Sequence, residues 1–175
     1  HNLRFILEQS PAESTAYRFA RLDLKYHSPR SGSLVRGDIA RGELYYTNST
    51  QLNIAATAEP FARVKIEGLF HPLIEGNAIT SIWLGESRPD AGALARFVER
   101  VFRETSSSQI VFSPEFTVCP SCRQTARGLK PACPRCGSTR VEGVSRVGGY
   151  LTHTSRLNRG KLAELRETYR NDAIR

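Results

Sequence analysis

Two rhythms of apolar and polar residues run along this chain. Residues 3–8 alternate in part (Leu3, Arg4, Phe5, Ile6, Leu7, Glu8) and predict a strand. A helix start follows directly. Ser10 is placed as N-cap, Pro11 at the first helical position, and Glu13 completes a capping box. This helix is expected to run to about Leu24, with Ala16, Phe19 and Ala20 facing inward. Residues 27–42 are rich in Ser, Gly, Pro and Arg and read as a long loop. Glu43–Thr47 reads as a short strand, followed by the polar run Asn48, Ser49, Thr50 and Gln51. Residues 61–70 are mixed in pattern. Ala78–Leu84 predicts a strand closed by Gly85, and Ser87–Asp90 a second helix start of the same build. After it, Leu94, Phe97, Val98, Val101 and Phe102 recur at helical spacing, the signature of an ordinary core stripe. Gln109–Phe112 predicts a strand. Val144–Leu151 is an apolar stretch broken by Gly148 and Gly149, and a charged final helix is expected over 159–170, anchored by Leu162 and Leu165. Strands and helices alternate up to about residue 112, so the fold class is α/β.

Composition narrows the function classes. The 175 residues suffice for one domain, or for one domain with a small appendage. With 39% hydrophobic and 24% charged residues the chain can bury a core. No apolar run approaches the roughly 18 residues of a spanning helix, so no membrane partner is expected. His1-Asn2-Leu3-Arg4 does not open a secretory signal. There is no methionine, even at position 1, and the chain reads as processed or as a piece of something longer. The formal charge is +8, spread along the sequence rather than blocked, which suits anionic ligands or an ordinary solvated surface.

The cysteines carry the sharpest chemistry. Cys119 and Cys122 form one CxxC, and Cys133 and Cys136 another. Each motif puts two thiolates on one turn, and two such turns complete an S₄ shell of the zinc-ribbon kind, suited to zinc or to rubredoxin-type iron. Gly137 leaves the second turn free to wrap an ion. Two disulfides are the alternative, disfavoured by the spacing and the missing export signal. The compartment is therefore expected to be reducing, that is, cytoplasmic. The ion is expected to stabilise residues 115–145, which have too little apolar content to fold alone.

One ordered series then stands out. It runs Ser10-Pro11-Ala12-Glu13-Ser14, Tyr46-Thr47-Asn48-Ser49-Thr50-Gln51-Leu52, Phe112-Ser113-Pro114, the four cysteines, Ser145-Arg146-Val147-Gly148-Gly149-Tyr150, and Asn158-Arg159-Gly160-Lys161. In this order and beside a CxxC pair it resembles the C-terminal part of the anaerobic, glycyl-radical (class III) ribonucleotide reductases, over essentially the whole chain.

The resemblance implies the C-terminal portion of a ten-stranded α/β barrel over 1–114, a zinc ribbon over 115–143, and a glycyl-radical loop with a C-terminal helix over 144–175. It implies that the radical sits on the glycine of an Arg-Val-x-Gly-Tyr loop, Gly149 by register against Tyr150, with Gly148 as the neighbouring candidate. Glycine suits the task because a planar, delocalised Cα radical tolerates no crowding side chain. Leu157 stands where the family often has tryptophan. The implied cofactors are a structural zinc and the glycyl radical, installed by an activase that uses S-adenosylmethionine and a [4Fe–4S] cluster. The implied substrate is a ribonucleotide, most simply a triphosphate, near Asn48, Ser49, Thr50, Gln51, Ser10 and Glu13. A polar turn and a plain capping box are the structural readings of those same residues. His153 is read either as an aid to proton movement or as a structural histidine.

All four cysteines are taken up by the metal, so none remains to form the thiyl radical that this chemistry needs. The expected partners are therefore the activase and the remaining N-terminal barrel portion carrying that cysteine, within a dimeric complete enzyme. No turnover is expected of this chain alone. A basic zinc-ribbon protein that binds nucleic acid is the alternative, and it leaves the Ser145–Tyr150 segment unexplained. A non-catalytic relic of the reductase fold is another.

Overall fold

The computed structural model describes residues 2–9, 12–147 and 150–168, with the backbone alone at Glu13. Helix α1 (Glu13–Ser31) is followed by a hairpin of β1 (Arg36–Asp38) and β2 (Glu43–Tyr45). Then come α2 (Pro60–Gly68), β3 (Thr80–Gly85), α3 (Ala91–Glu104) and β4 (Ile110–Pro114). Strands β5 (Phe116–Val118), β6 (Thr125–Arg127), β7 (Glu142–Val147) and β8 (Tyr150–His153) precede α4 (Arg159–Glu167).

The α/β expectation holds at β3–α3–β4. The two strands are parallel, Thr80 beside Ile110, and α3 connects them. The main core lies between this sheet and helices α2 and α3: Phe61, Val64, Ile82, Leu84 and Val101 are buried, with Leu94 and Phe97 packed against them. The expected stripe of α3 therefore faces the core, except that Phe102 lies half in solvent at 51% exposure. Three helices begin at side-chain caps. Glu59 accepts from the Ala62 N–H, Asp90 from Ala93 and Asn158 from Lys161, each satisfying a donor that the first turn leaves open. For α3 the cap is thus Asp90 rather than Ser87, because Asp90 is the residue whose carboxylate reaches an open N–H.

Antiparallel pairing joins the last strands in the order β6–β5–β7–β8. Helix α4 lies on β2. Gly160 packs against the Leu44 carbonyl and the Tyr17 ring, and Ala163 joins Tyr45 and Ile54 in a second buried cluster. Tyr45 donates to Glu167 Oε2 at 2.6 Å, and Arg166 pairs with Glu43. No helix among the described residues is long and apolar enough to cross a membrane.

Several expectations are corrected. Residues 3–8 form no strand; their one pairing is an isolated parallel bridge from Glu8 to Gly76. A strand needs a continuous neighbour, and this segment leaves Leu3, Phe5, Ile6 and Leu7 largely exposed. Helix α1 starts at Glu13 with Ala12 in the capping position and no side-chain cap, so Ser10 is not its N-cap; Ser10 and Pro11 lie outside the described residues. The helix also continues past Leu24 to Ser31 through a kink at His27, two residues before Pro29. Its inward face is Ala20 with Leu24, whereas Phe19 is 49% exposed. The expected loop over 27–42 is the end of α1 plus a hairpin, made possible by Gly37 and Gly42 at positive φ. At Gly37 a Cβ would collide with the Glu43 carbonyl across the hairpin.

Candidate functional site

The two CxxC turns repeat one backbone design. Cys119 N–H donates to Gln124 O while Arg123 N–H donates back to Cys119 O; Cys133 N–H donates to Ser138 O while Gly137 N–H donates back to Cys133 O, all at 2.9 Å. The equivalent residues Arg123 and Gly137 both adopt positive φ, 59° and 71°. The freedom expected of Gly137 is thus used, and Arg123 meets the same demand with a side chain. Each turn folds its thiols onto those of the other. Cys119 Sγ lies 3.7 Å from Cys136 Sγ and Cys122 Sγ 3.6 Å from Cys133 Sγ, and all four sulfurs fall within 4.8 Å of one another. A tetrahedral ion with bonds of about 2.3 Å sets its sulfurs about 3.8 Å apart, so the cluster can hold a metal such as zinc. Backbone donors favour the thiolate form that a metal requires. The Cys122 N–H pulls the Cys119 thiol down to about 6, and the Cys136 N–H lowers that of Cys133.

Strand β7 leads from this cluster into a narrow, partly open polar cleft of about 40 Å³. Ser145, Arg146 and Val147 of β7 form one wall. Ser81 and Trp83 of β3 and Ser113 of β4 form the floor, and Lys161 and Glu164 of α4, with Thr168 just after it, stand opposite. Asn48, Gln51 and Ile54, from the segment after β2, close the end. Lys161 Nζ meets Glu164 Oε2 at 3.0 Å, so the pair presents little net charge. Ser113 is 2% exposed, and its Oγ has no hydrogen-bond partner among the described residues. All four cysteines stay at the cluster and none lines the cleft.

The predicted polar run divides between two places. Asn48 and Gln51 line the cleft, and Gln51 Nε2 is tied to Ile79 O at 3.3 Å. Ser49, at φ 44°, and Thr50 turn away into a separate apolar hollow with Leu7, Phe70 and Ile74. A tight turn, closed by Gln51 N–H to Asn48 O at 3.0 Å, sends successive side chains to different sides. Ser10, Gly148 and Gly149 lie outside the described residues, as does the side chain of Glu13. His153 Nδ1 sits 2.9 Å from Glu142 Oε2, away from the cleft lining. Sequence reasoning missed Ser81 and Trp83 as site residues, since strand alternation marks them only as sheet positions.

The model of the anaerobic ribonucleoside-triphosphate reductase family matches residues 1–170. The anaerobic ribonucleoside-triphosphate reductase of Haemophilus influenzae is 29% identical over 159 residues, covering 84% of this chain and 20% of the relative. That of Enterobacteria phage T4 is 25% identical over 173 residues, covering 92% of this chain and 27% of the relative. Among solved structures, an anaerobic ribonucleotide reductase superposes with TM-score 0.72 at 23% identity, over 98% of this chain and 25% of that one. The Thermotoga maritima enzyme with MES in its active site superposes with TM-score 0.66 at 23% identity, over 89% and 24%. The chain thus spans about a quarter or less of the solved structures, and between 20% and 27% of the two curated relatives. The matched stretch takes in the thiolate cluster, β7 and the cleft together: the chain belongs to the anaerobic ribonucleoside-triphosphate reductase family.

Proposed function

We propose that this chain is the C-terminal, radical-carrying portion of an anaerobic ribonucleoside-triphosphate reductase, and that Gly149 stores the glycyl radical used to reduce ribonucleotides. One observation carries the reading. Strand β7 joins the thiolate cluster to the cleft and places Val147, directly before Gly148 and Gly149, in the cleft wall. In this reading the four cysteines hold a structural zinc, which pins the near end of β7 as part of a ribbon. Asn48 and Gln51 face the ribose of a ribonucleotide, and the α/β body is part of a ten-stranded barrel.

The thiol that attacks ribose belongs to the remaining N-terminal portion of the barrel, because every cysteine of these 175 residues belongs to the cluster. That portion completes the barrel, and the complete enzyme is a dimer. A separate activase, using S-adenosylmethionine and a [4Fe–4S] cluster, removes a hydrogen atom from Gly149. The glycine is suited because its Cα can flatten without steric cost.

Oxygen cleavage tests the assignment. The chain, together with the remaining barrel portion, is incubated anaerobically with activase, reductant and S-adenosylmethionine, exposed to air, and weighed. Cleavage at Gly149 is expected in the wild type and in Gly148→Ala, and none in Gly149→Ala. A wild-type chain left whole beside a cleaved full-length phage T4 relative would overturn the radical-carrier role.

A further inference from the structure

Residues 46–59, between β2 and α2, bring Asn48 and Gln51 to the cleft without a sheet neighbour of their own. Two successive turns shape the segment, Gln51 N–H to Asn48 O and Ala56 N–H to Asn53 O. What holds these turns against the body is a pair of charged side chains from α2. Arg63 and Glu67 are 1% and 2% exposed. Arg63 Nη1 donates to Glu67 Oε1 at 3.0 Å and to Leu52 O at 3.4 Å. Its Nη2 donates to Asn53 O and to Ala56 O, each at 3.1 Å. Glu67 Oε1 also accepts the Leu52 N–H at 3.0 Å, so Leu52 is gripped at both its backbone groups. The guanidinium lies 5.7 Å from the ring centroid of Trp83, which forms part of the cleft floor.

We infer that Arg63, braced by Glu67, is the positioning residue of the cleft, fixing Asn48 and Gln51 relative to Trp83. This rests on the reading of the cleft as the ribonucleotide site. A buried ion pair is a costly way merely to fill space, since an apolar pair of like volume often serves stability as well or better. An apolar pair cannot satisfy three carbonyls of an irregular segment. A lysine ammonium has donors enough, yet lacks the planar fork that reaches Leu52, Asn53 and Ala56 together.

The test uses the full zinc-loaded chain and its Arg63→Lys, Arg63→Met and Glu67→Gln variants. Amide exchange is followed over 48–56, α3 and β3–β4. Trp83, the sole tryptophan, reports by its emission on the cleft floor and on added CTP. Both Arg63 variants are expected to speed exchange over 48–56 about tenfold, the size of an ordinary lost hydrogen bond, with α3 unchanged. They should also shift Trp83 emission and weaken the CTP titration at least tenfold. Glu67→Gln keeps an acceptor for Leu52 and should retain most of the protection. Exchange that rises equally in α3 and β3–β4, or that stays unchanged over 48–56, would overturn the assignment. If wild type gives no CTP response, the ribonucleotide reading of the cleft fails, while the exchange pattern still decides what Arg63 does. If neither Arg63 variant folds, wild-type exchange in low denaturant decides: 48–56 opening together with α2 supports the role, and 48–56 opening while α2 stays closed overturns it.

Discussion

His71 shows how much one buried side chain can settle. It is 3% exposed, and its Nδ1 accepts the Ser108 backbone N–H at 3.0 Å, so that nitrogen carries no proton. Nε2 faces Thr80 Oγ1 at 3.5 Å. Burial lowers the basicity of the ring. In the unfolded chain a histidine takes up its proton near pH 6.5, and here the folded value is lower. The unfolded state therefore binds more protons in the acid range. The stability from His71 is complete above about pH 6.5 and is lost as pH falls through the folded value. An asparagine would offer its amide oxygen to Ser108 without titrating. Urea unfolding at pH 7 and pH 5 should show a larger drop in midpoint for wild type than for His71→Asn. Equal drops would remove His71 from the acid response.

At the scale of elements, α4 sits on β2 in a close joint. A Cβ at Gly160 would overlap the Leu44 carbonyl oxygen and come within 2.8 Å of the Tyr17 ring. Neither the backbone of a paired strand nor a packed ring yields easily. Gly160→Ala should therefore cost about 1–3 kcal/mol, the usual range for overpacking, despite alanine's better helix propensity. Thermal unfolding measures this directly, and a melting temperature at or above wild type would contradict the packing. Joints of this kind also mark where sequence reading ended. The stripe of α3 and the CxxC turns are local patterns, set by residues within one helix or one turn, and both were legible. Of the hairpin at 36–45 only the second strand, β2, was legible; β1 was not, because its glycine and arginine look like loop until a partner strand is known. The end of α1 passed a proline that propensity alone would have made a stop. In the site, Asn48 and Gln51 were legible within a polar run, but only the turn geometry separates them from Ser49 and Thr50. Arg63 and Glu67 fall in the stretch of mixed pattern over 61–70, and nothing local says that both are buried.

For the whole molecule, the thiolate cluster and the cleft lie towards opposite ends of one strand, β7. On the zinc reading, the ion contributes on the scale of about 10 kcal/mol at a structural site. The parallel sheet β3–β4 and its helices hold a separate core, buried around Ile82 and Val101. Stripping zinc with a strong chelator, or replacing Cys133 with serine, should thus open the β5–β7 sheet at its cysteine end while β3–β4 stays protected. Amide exchange before and after chelation checks this, and equal loss across both sheets would show a single cooperative unit. The cleft has a further consequence, in the order of folding. Its lining starts at Asn48 and ends at Thr168, so closing it brings together residues that are distant along the chain. Such contacts carry the largest loop-closure cost and come late. A chain still emerging from the ribosome, or one cut short anywhere in α4, has the thiolate cluster and the sheets but an unfinished cleft. The cleft therefore takes shape only once α4 has docked on β2 and the strands.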